Sequence, residues 1–411
     1  MSVNPPARSH LREEGLGNTT STNRGYSHLI TRRRLVAGLL GTMATGPIRG
    51  RVLRIESNGD SDVVRVAFGS CVSQRKNQDI WEHIAAKDPH VFIMMGDGVY
   101  PEHEPGALST LDAIRSAYRH AGKCVELNRF RERIPVAAIW DDNDYGGMDI
   151  GRTFADKFES RDLFLDFWTS GAEASIRRRD SGIYASWELG MPERRIQIIA
   201  PDLRFSRSEW AMAGLKTIIA RQLRGMGPFE ATRDSGATML GETQWAWLED
   251  CLKRPAKLRL LVSSIQVIPD ERGWECWSNF PAEQERLLRL ISQPRVGPVI
   301  VLSGDAHYAE ISRKDGDEGI GALWEITSSG LTEHWPTPGP NSFRIGPAYP
   351  QPNFGILTVD WRPASPQLTV GIHGADGRRL RREFLLLESL MHSPSGGSAS
   401  RTARSPQRFM A

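Results

Sequence analysis

The chain has 411 residues, 39% hydrophobic and 25% charged, which excludes a chain without a core and leaves ample length for a large one. Its net charge of +3 is carried by the ends: Met1–Arg54 contributes +7 and Met391–Ala411 contributes +3, so the body between them is −7. An acidic body argues against a partner bound through a phosphate backbone, and no nucleic-acid-binding surface is expected.

In chain order, residues 1–30 are polar and rich in Gly, Ser and Asn, the composition of a disordered arm. TRRRLVAGLLGTMATG follows at 31–46. A basic cluster ahead of an apolar stretch of about a dozen residues has the form of a signal-peptide core. Arg32 and Arg33 followed by Leu35 and Val36 resemble a twin-arginine export signal, with the export machinery as partner and a periplasmic or extracellular destination. The small-x-small sequence Ala44-Thr45-Gly46 is only a loose cleavage site. No apolar run reaches the roughly 18 residues of a membrane span.

The alternating, β-branched run VVRVAFG from Val63 predicts a strand. Asn77–Lys87 has helical spacing. HVFIMMGD is a continuous apolar run, the look of a buried parallel strand. Ser109–His120 predicts a helix, and PVAAIWDD another short strand. RIQIIAPD, KLRLLVSSIQV and GPVIVLSGD predict buried strands, with ETQWAWLEDCLKR and AEQERLLRLISQ as helices between them. Gly171–Ser181 and Asp270–Phe280 read as loops. FGILTVDW, QLTVGIHG and RRLRREFLLLES predict a closing antiparallel meander. Strands alternating with helices indicate a layered α/β fold. The expected organisation is a basic arm with its signal over 1–50, one domain over 60–385 and a disordered tail over 391–411. The four cysteines (Cys71, Cys124, Cys251, Cys276) form no CxxC pair, so a zinc ribbon or redox motif is not expected.

Several strands end on one chemical type of residue. VAFGSC ends on Cys71, and FIMMGDGVY on Asp97 with Tyr100. VAAIWDDND ends on Asp141, Asp142, Asn143 and Asp144, and VIVLSGDAHYAE on Asp305 and His307. Consecutive ends of parallel strands meet along one sheet edge, which would bring these groups to one spot. Carboxylates so crowded repel and neutralise unless a multivalent cation lies among them. Oxygen donors suit hard ions, and a thiolate with a phenolate points to a ferric ion. Two metals bridged by a carboxylate suit phosphoryl transfer, with a water between them as nucleophile. Asp97, on the middle strand end, is the bridging candidate, and Asp141 and Asp144 are candidates for orienting roles.

These motifs resemble the alkaline phosphatase D (PhoD-like) family of metallophosphoesterases. The matching segments are FGSC, GDGVY, WDDND, APDLRFSR, MLGETQWAWLEDCL, SSIQV, GWECWSNFPAEQERL and LSGDAHYAEIS, in order, over roughly Val63 to Asp360. The resemblance implies a four-layer αββα fold related to purple acid phosphatases, and hydrolysis of phosphate esters outside the cytoplasm. It implies Fe3+ and Ca2+ in a dinuclear or trinuclear site, other divalent metals being an alternative. Cys71, Asp97, Tyr100 and the Asp305–His307 segment match the iron side. Asp97, Asp142 and either Asp305 or His307 match the second metal. Arg204 and Arg207 match the family's DTRxxR pattern, with Leu203 in place of Thr, and an arginine there would grip phosphate. The chain departs from the pattern at Ala306, where an Arg often stands, at Gly98, and above all at Asn143, where the family has histidine. Asparagine donates a hydrogen bond but does not shuttle a proton.

The expected function is an exported, metal-dependent phosphoesterase acting on mono- or diesters, whether of a small molecule, a phospholipid or a cell-wall polymer. The alternative, drawn from Asn143, is a weakened or inactive metal-bearing binder of phosphorylated cell-surface polymer or lipid. Trp274 and Trp277 either border the site or pack their loop onto the body.

Overall fold

Every second residue of the central strands faces the same way, so one run of aliphatics serves two cores. In the computed structural model, which describes residues 35–36, 53–55, 61–103, 110–178, 181–316 and 321–390, these strands form two large sheets. The expected signal, arm and tail lie outside the described residues, apart from the short strand Leu35–Val36.

The eight-stranded sheet runs in the order Leu35–Val36, Leu53–Ile55, Ala185–Leu189, Ile196–Ala200, Leu258–Ser263, Val299–Ser303, Leu323–Ser328, Ala309–Lys314. Its four middle strands, from Ile196–Ala200 to Leu323–Ser328, are parallel. The six-stranded sheet runs Arg379–Leu386, Gln367–Gly374, Asn353–Asp360, Val63–Gly69, Val91–Met95, Val136–Ile139. Its last three strands are parallel, and the other three form the predicted antiparallel meander.

Ile198, Leu260, Ile300 and Leu302 turn inward and share one core with Val66, Phe68 and Ile93 of the other sheet. Their chain neighbours Ile199, Leu261 and Val301 turn outward, onto Trp245 and Leu248 of the helix Glu242–Leu252 and Leu287 of the helix Pro281–Ile291. Glu283 ties these two helices, accepting from Trp245 Nε1 at 2.9 Å and from the Met239 backbone at 2.8 Å. Outside the six-stranded sheet, helices Ile80–Ala85, Thr110–Ala121, Val125–Arg133 and Lys157–Trp168 contribute Trp81, Ile114, Phe130 and Phe164 to the core. The result is the four-layer αββα arrangement. Each buried aliphatic or aromatic side chain contributes about 1.5–3 kcal/mol.

Two expectations need correcting. Gly171–Arg177 is a helix, not a loop. Its buried Glu173–Arg177 pair, four residues apart and 3.2 Å between charged atoms, exists only at helical spacing. The donor-bearing strand ends also do not share one sheet edge. Val63–Gly69, Val91–Met95 and Val136–Ile139 lie in one sheet and Val299–Ser303 in the other. The ends meet across the gap between the sheets. A Cβ on Gly304 would stand 2.8 Å from Met95 O and 2.9 Å from Ser264 O, so only glycine permits this approach.

Candidate metal centre

Several donors hang from turns that the backbone adopts at a cost. Among the described residues, six that are not glycine have positive φ, and five cluster here: Cys71 (63°), Asp97 (52°), Asp149 (58°), Asp305 (61°) and His307 (60°). Left-handed backbone outside glycine persists only where surrounding structure holds it, and such strain concentrates at functional sites. The Cys71 turn is fixed by Cys71 N donating to Gly96 O (3.2 Å) and Val72 N to Asp97 O (2.9 Å). Gly96 is obligatory: its φ is 106°, and a Cβ would stand 2.5 Å from Asp141 Cβ.

The donors form a chain of three overlapping groups, each with ligand atoms within 4.8 Å of one another: Cys71, Asp97 and His307; Asp97, Asp141 and Asp142; Asp142, Asp149 and Glu275. Asp97 joins the first to the second, and Asp142 the second to the third. Asp97 Oδ2 is the crossing point. It lies 3.7 Å from Cys71 Sγ and accepts from Tyr100 OH and Asn143 Nδ2, each at 3.1 Å. Tyr100 OH is also 3.2 Å from His307 Nε2. Asp305 belongs to none of the three groups, although its turn is part of the same floor.

Asn143 bridges two acids, since Nδ2 also donates to Asp142 Oδ1 at 3.1 Å. Asp144 faces away from the donors. It accepts from Gly98 N (3.0 Å), Tyr118 OH (2.9 Å) and Asp141 N (3.2 Å), binding together the turns that carry Asp97 and Asp141. Asp141 Oδ1 accepts from Arg204 Nε and Ser264 Oγ, both at 2.7 Å. Its buried Oδ2 has no partner.

Arg204 and Arg207 are fully buried. Arg204 makes a fork onto Glu275 at 2.6 Å for each oxygen, besides its bond to Asp141. It thus sits on neighbouring carboxylates rather than open to a ligand. Arg207 lies 4.2 Å over the Trp210 ring and donates to Asp149 O at 2.6 Å and Ser208 O at 2.7 Å.

Electrostatics follow from burial and crowding. Burial and the neighbouring Asp142 hold Asp97 well above the usual carboxylate range. Burial does the same to Asp141, against the pull of Arg204. Burial pushes Asp144 up to about 7, Asp149 up to about 8 and Asp305 up to about 6. The Cys71 thiol is pushed up to about 12 by burial, and burial lowers His307. Among the acids, Glu275 moves the other way: against its burial, Arg204 holds it below the usual range. A bound cation would reverse the upward shifts and reinforce the lowered His307, because it favours thiolate, carboxylate and neutral imidazole together. The donor set therefore fits metal ions. So does the orphaned Asp141 Oδ2, a buried acceptor with nothing to accept from.

Of the residues named from the sequence, Cys71, Asp97, Asp141, Asp142 and His307 fall in the three groups, and Tyr100 and Asn143 bond to them. Asp305 and Asp144 stand outside them, and Arg204 and Arg207 bind the turns beside them. Glu275 and Asp149 were missed. Glu275 lay in plain view between Trp274 and Cys276, an acid inside an aromatic loop. The two tryptophans divide: Trp277 is buried and packs on Trp245, while Trp274 packs on Trp335, which packs on His307.

A family model described as PhoD-like phosphatase matches residues 66–348. Alkaline phosphatase D of Bacillus subtilis (strain 168) is 22% identical over 276 residues, 59% of this chain. The chain spans 45% of the length of that curated relative. The solved structure titled "Structure of PhoD" superposes with a TM-score of 0.58 at 14% identity, covering 80% of this chain and 74% of the other, a likeness of fold.

Proposed function

Because the chain belongs to the PhoD-like phosphatase family, we propose that it is a metal-dependent phosphoesterase that hydrolyses phosphate mono- or diesters. One observation carries this reading: a continuous buried run of donors whose acids crowd one another, held by strained turns. Cys71, Asp97, Tyr100 and His307 would hold Fe3+. Asp97 and Asp142, with Asp141 or Asp305 at the margin, would hold Ca2+ or another divalent ion. Asp142, Asp149 and Glu275 give a third position. Such ions supply positive charge that polarises the phosphoryl group and acidifies water.

The chain's own groups do the rest. Asn143 Nδ2 donates one proton to Asp97 and the other to Asp142, so Asn143 positions the two carboxylates that would share the metals. It has no proton to give to the leaving oxygen, so good leaving groups are favoured. Asp144, Arg204 and Arg207 act as positioning residues: they fix the Asp97, Asp141 and Asp149 turns. Export through the Arg32–Arg33 segment belongs to the same proposal. Lysine at both positions should retain the protein inside the cell.

The test is turnover of a chromogenic phosphodiester and monoester by protein of measured metal content, with calcium added and then after chelation. Chelator-sensitive turnover is expected. Iron-containing protein that turns over neither ester overturns the enzyme reading. Asn143 favours a second reading, a metal-bearing binder of phosphorylated polymer or lipid. That reading predicts saturable binding of such a ligand without turnover.

A further inference from the structure

The helix Leu215–Gln222 buries none of its residues. Leu215 is 73% exposed, Ile219 54% and Leu223, just past its end, 87%, and Met212 before it is 56% exposed. Spacing of four residues puts Leu215, Ile219 and Leu223 on one stripe. Among the described residues, eleven large apolar side chains are exposed, and these four lie within twelve positions, in the segment that begins at the strand Ala211–Met212, which pairs with Phe229–Glu230. Half-buried Ile218 and Arg221 mark the side toward the body, where Arg221 Nη1 donates to Phe229 O at 2.5 Å.

Charge sets this segment apart. Lys216, Arg221 and Arg224 lie in it, and no acid occurs from Trp210 to Pro228, in a body that is −7. Lys216 borders the apolar stripe, and the exposed Arg224 follows Leu223 just past the helix end. Apolar residues bordered by cations on an exposed helix suit the boundary of an anionic lipid layer.

The segment is also tied to the mouth of the metal centre. Gly225 O accepts from Trp274 Nε1 at 3.2 Å, and Phe229 N donates to Gly273 O at 2.8 Å. Trp274 leads through Trp335, 48% exposed, to His307. Met148, 83% exposed, immediately precedes Asp149 in the chain.

We propose that the Met212–Arg224 segment docks on an anionic lipid surface and brings the metal centre to phosphoesters carried there. The docking stands by itself; the consequence for substrate rests on the proposed function. The occupant is a lipid layer because a cationic, acid-free segment is not complementary to a second copy of itself. The basic ends of this chain are no better matched to it.

The experiment is co-sedimentation of the full chain with phosphatidylcholine vesicles, with and without phosphatidylglycerol, alongside its Leu215→Glu/Leu223→Glu variant. Both positions are exposed, so folding is not at risk, and circular dichroism checks it. Binding to the anionic vesicles is expected, weakened by salt and lowered at least about tenfold in the variant. Turnover of a soluble chromogenic ester is expected to be equal in the two proteins. Equal vesicle binding by both proteins, or none by either, overturns the proposal. So does a dimer in solution that the variant converts to monomer, since a second copy would then cover the stripe. Vesicle binding is read without catalysis, so its failure is distinct from failure of the phosphoesterase reading.

Discussion

The same strands begin in a basic region and end in an acidic one. Leu258–Ser263 and Val299–Ser303 start beside a cleft lined by Lys253, Arg254, Lys257, Arg259 and Arg295. They lead, at their other ends, to Ser264, Asp305 and His307. At the basic end the buried Arg259 is held by backbone carbonyls, with Nη2 on Leu252 O at 3.3 Å, and Lys253 pairs with Asp250 at 2.9 Å. At the acidic end carboxylates face each other, one buried oxygen has no partner, and the backbone is strained. Both ends carry buried charge and a buried atom without a partner, Arg259 Nε at the basic end and Asp141 Oδ2 at the acidic one, but it is the acidic end that sets like charges against one another on strained backbone. That difference, rather than charge or one orphaned atom, separates a functional site from an ordinary surface cleft.

The comparison breaks most easily at Asp97. Asp97→Asn removes the donor shared by two groups and is expected to lower kcat by roughly 10²–10³-fold, as loss of one electrostatic contact at reacting atoms does. Steady-state assay together with metal analysis checks it, and full activity with full metal content would detach Asp97 from the site. At the same end, Asn143→His is expected to raise kcat by about 10²-fold, the lower range for a general acid. The gain should be larger for poor leaving groups, as a leaving-group series on aryl phosphates would reveal.

Stability against pH sharpens the contrast. Folded Asp144, Asp149 and Asp305 keep their protons up to about 7, 8 and 6, against an ordinary value of 3.8. Between these limits the metal-free folded state binds more protons than the unfolded one. The contribution of these three groups to its stability is therefore complete below about pH 4 and is lost as pH rises to about 8. Thermal melts of chelated protein should show that decline, and melts of metal-loaded protein should show much less of it. The smallest effect belongs to the basic end. Arg254→Ala and Arg295→Ala are expected to leave kcat unchanged and to shift stability by no more than about 0.5 kcal/mol. A tenfold change in kcat would erase the distinction between the two ends.

The legible parts of the sequence were those set by short-range pattern. Continuous apolar runs ending in Gly-Asp announce buried parallel strands, and chain order then lines up Cys71, Asp97, Asp142 and His307. What a strand end cannot announce is its sheet, because inward and outward faces look alike when both are buried. Asp149, seven residues past Asp142, escapes that pattern because it does not sit on a strand end, whereas Glu275 stands in plain view as an acid, but its nearness to Asp142 is not legible because they lie far apart in the chain. The expected phosphate grip by Arg204 met the same limit: its acceptors, Asp141 and Glu275, are 63 and 71 residues away. Gly171–Arg177 was missed because its buried face is largely polar: Glu173 pairs with Arg177, which also donates to Ala138 O at 2.8 Å and Ile183 O at 3.1 Å.

The central claim is that the strained acidic end is a metal centre. Anomalous X-ray scattering from crystals of the purified chain, recorded on either side of the iron edge, tests it most directly. The account predicts an iron peak among Cys71, Asp97, Tyr100 and His307, with a second cation near Asp142. A folded protein with these side chains ordered and no anomalous peak among them would contradict it.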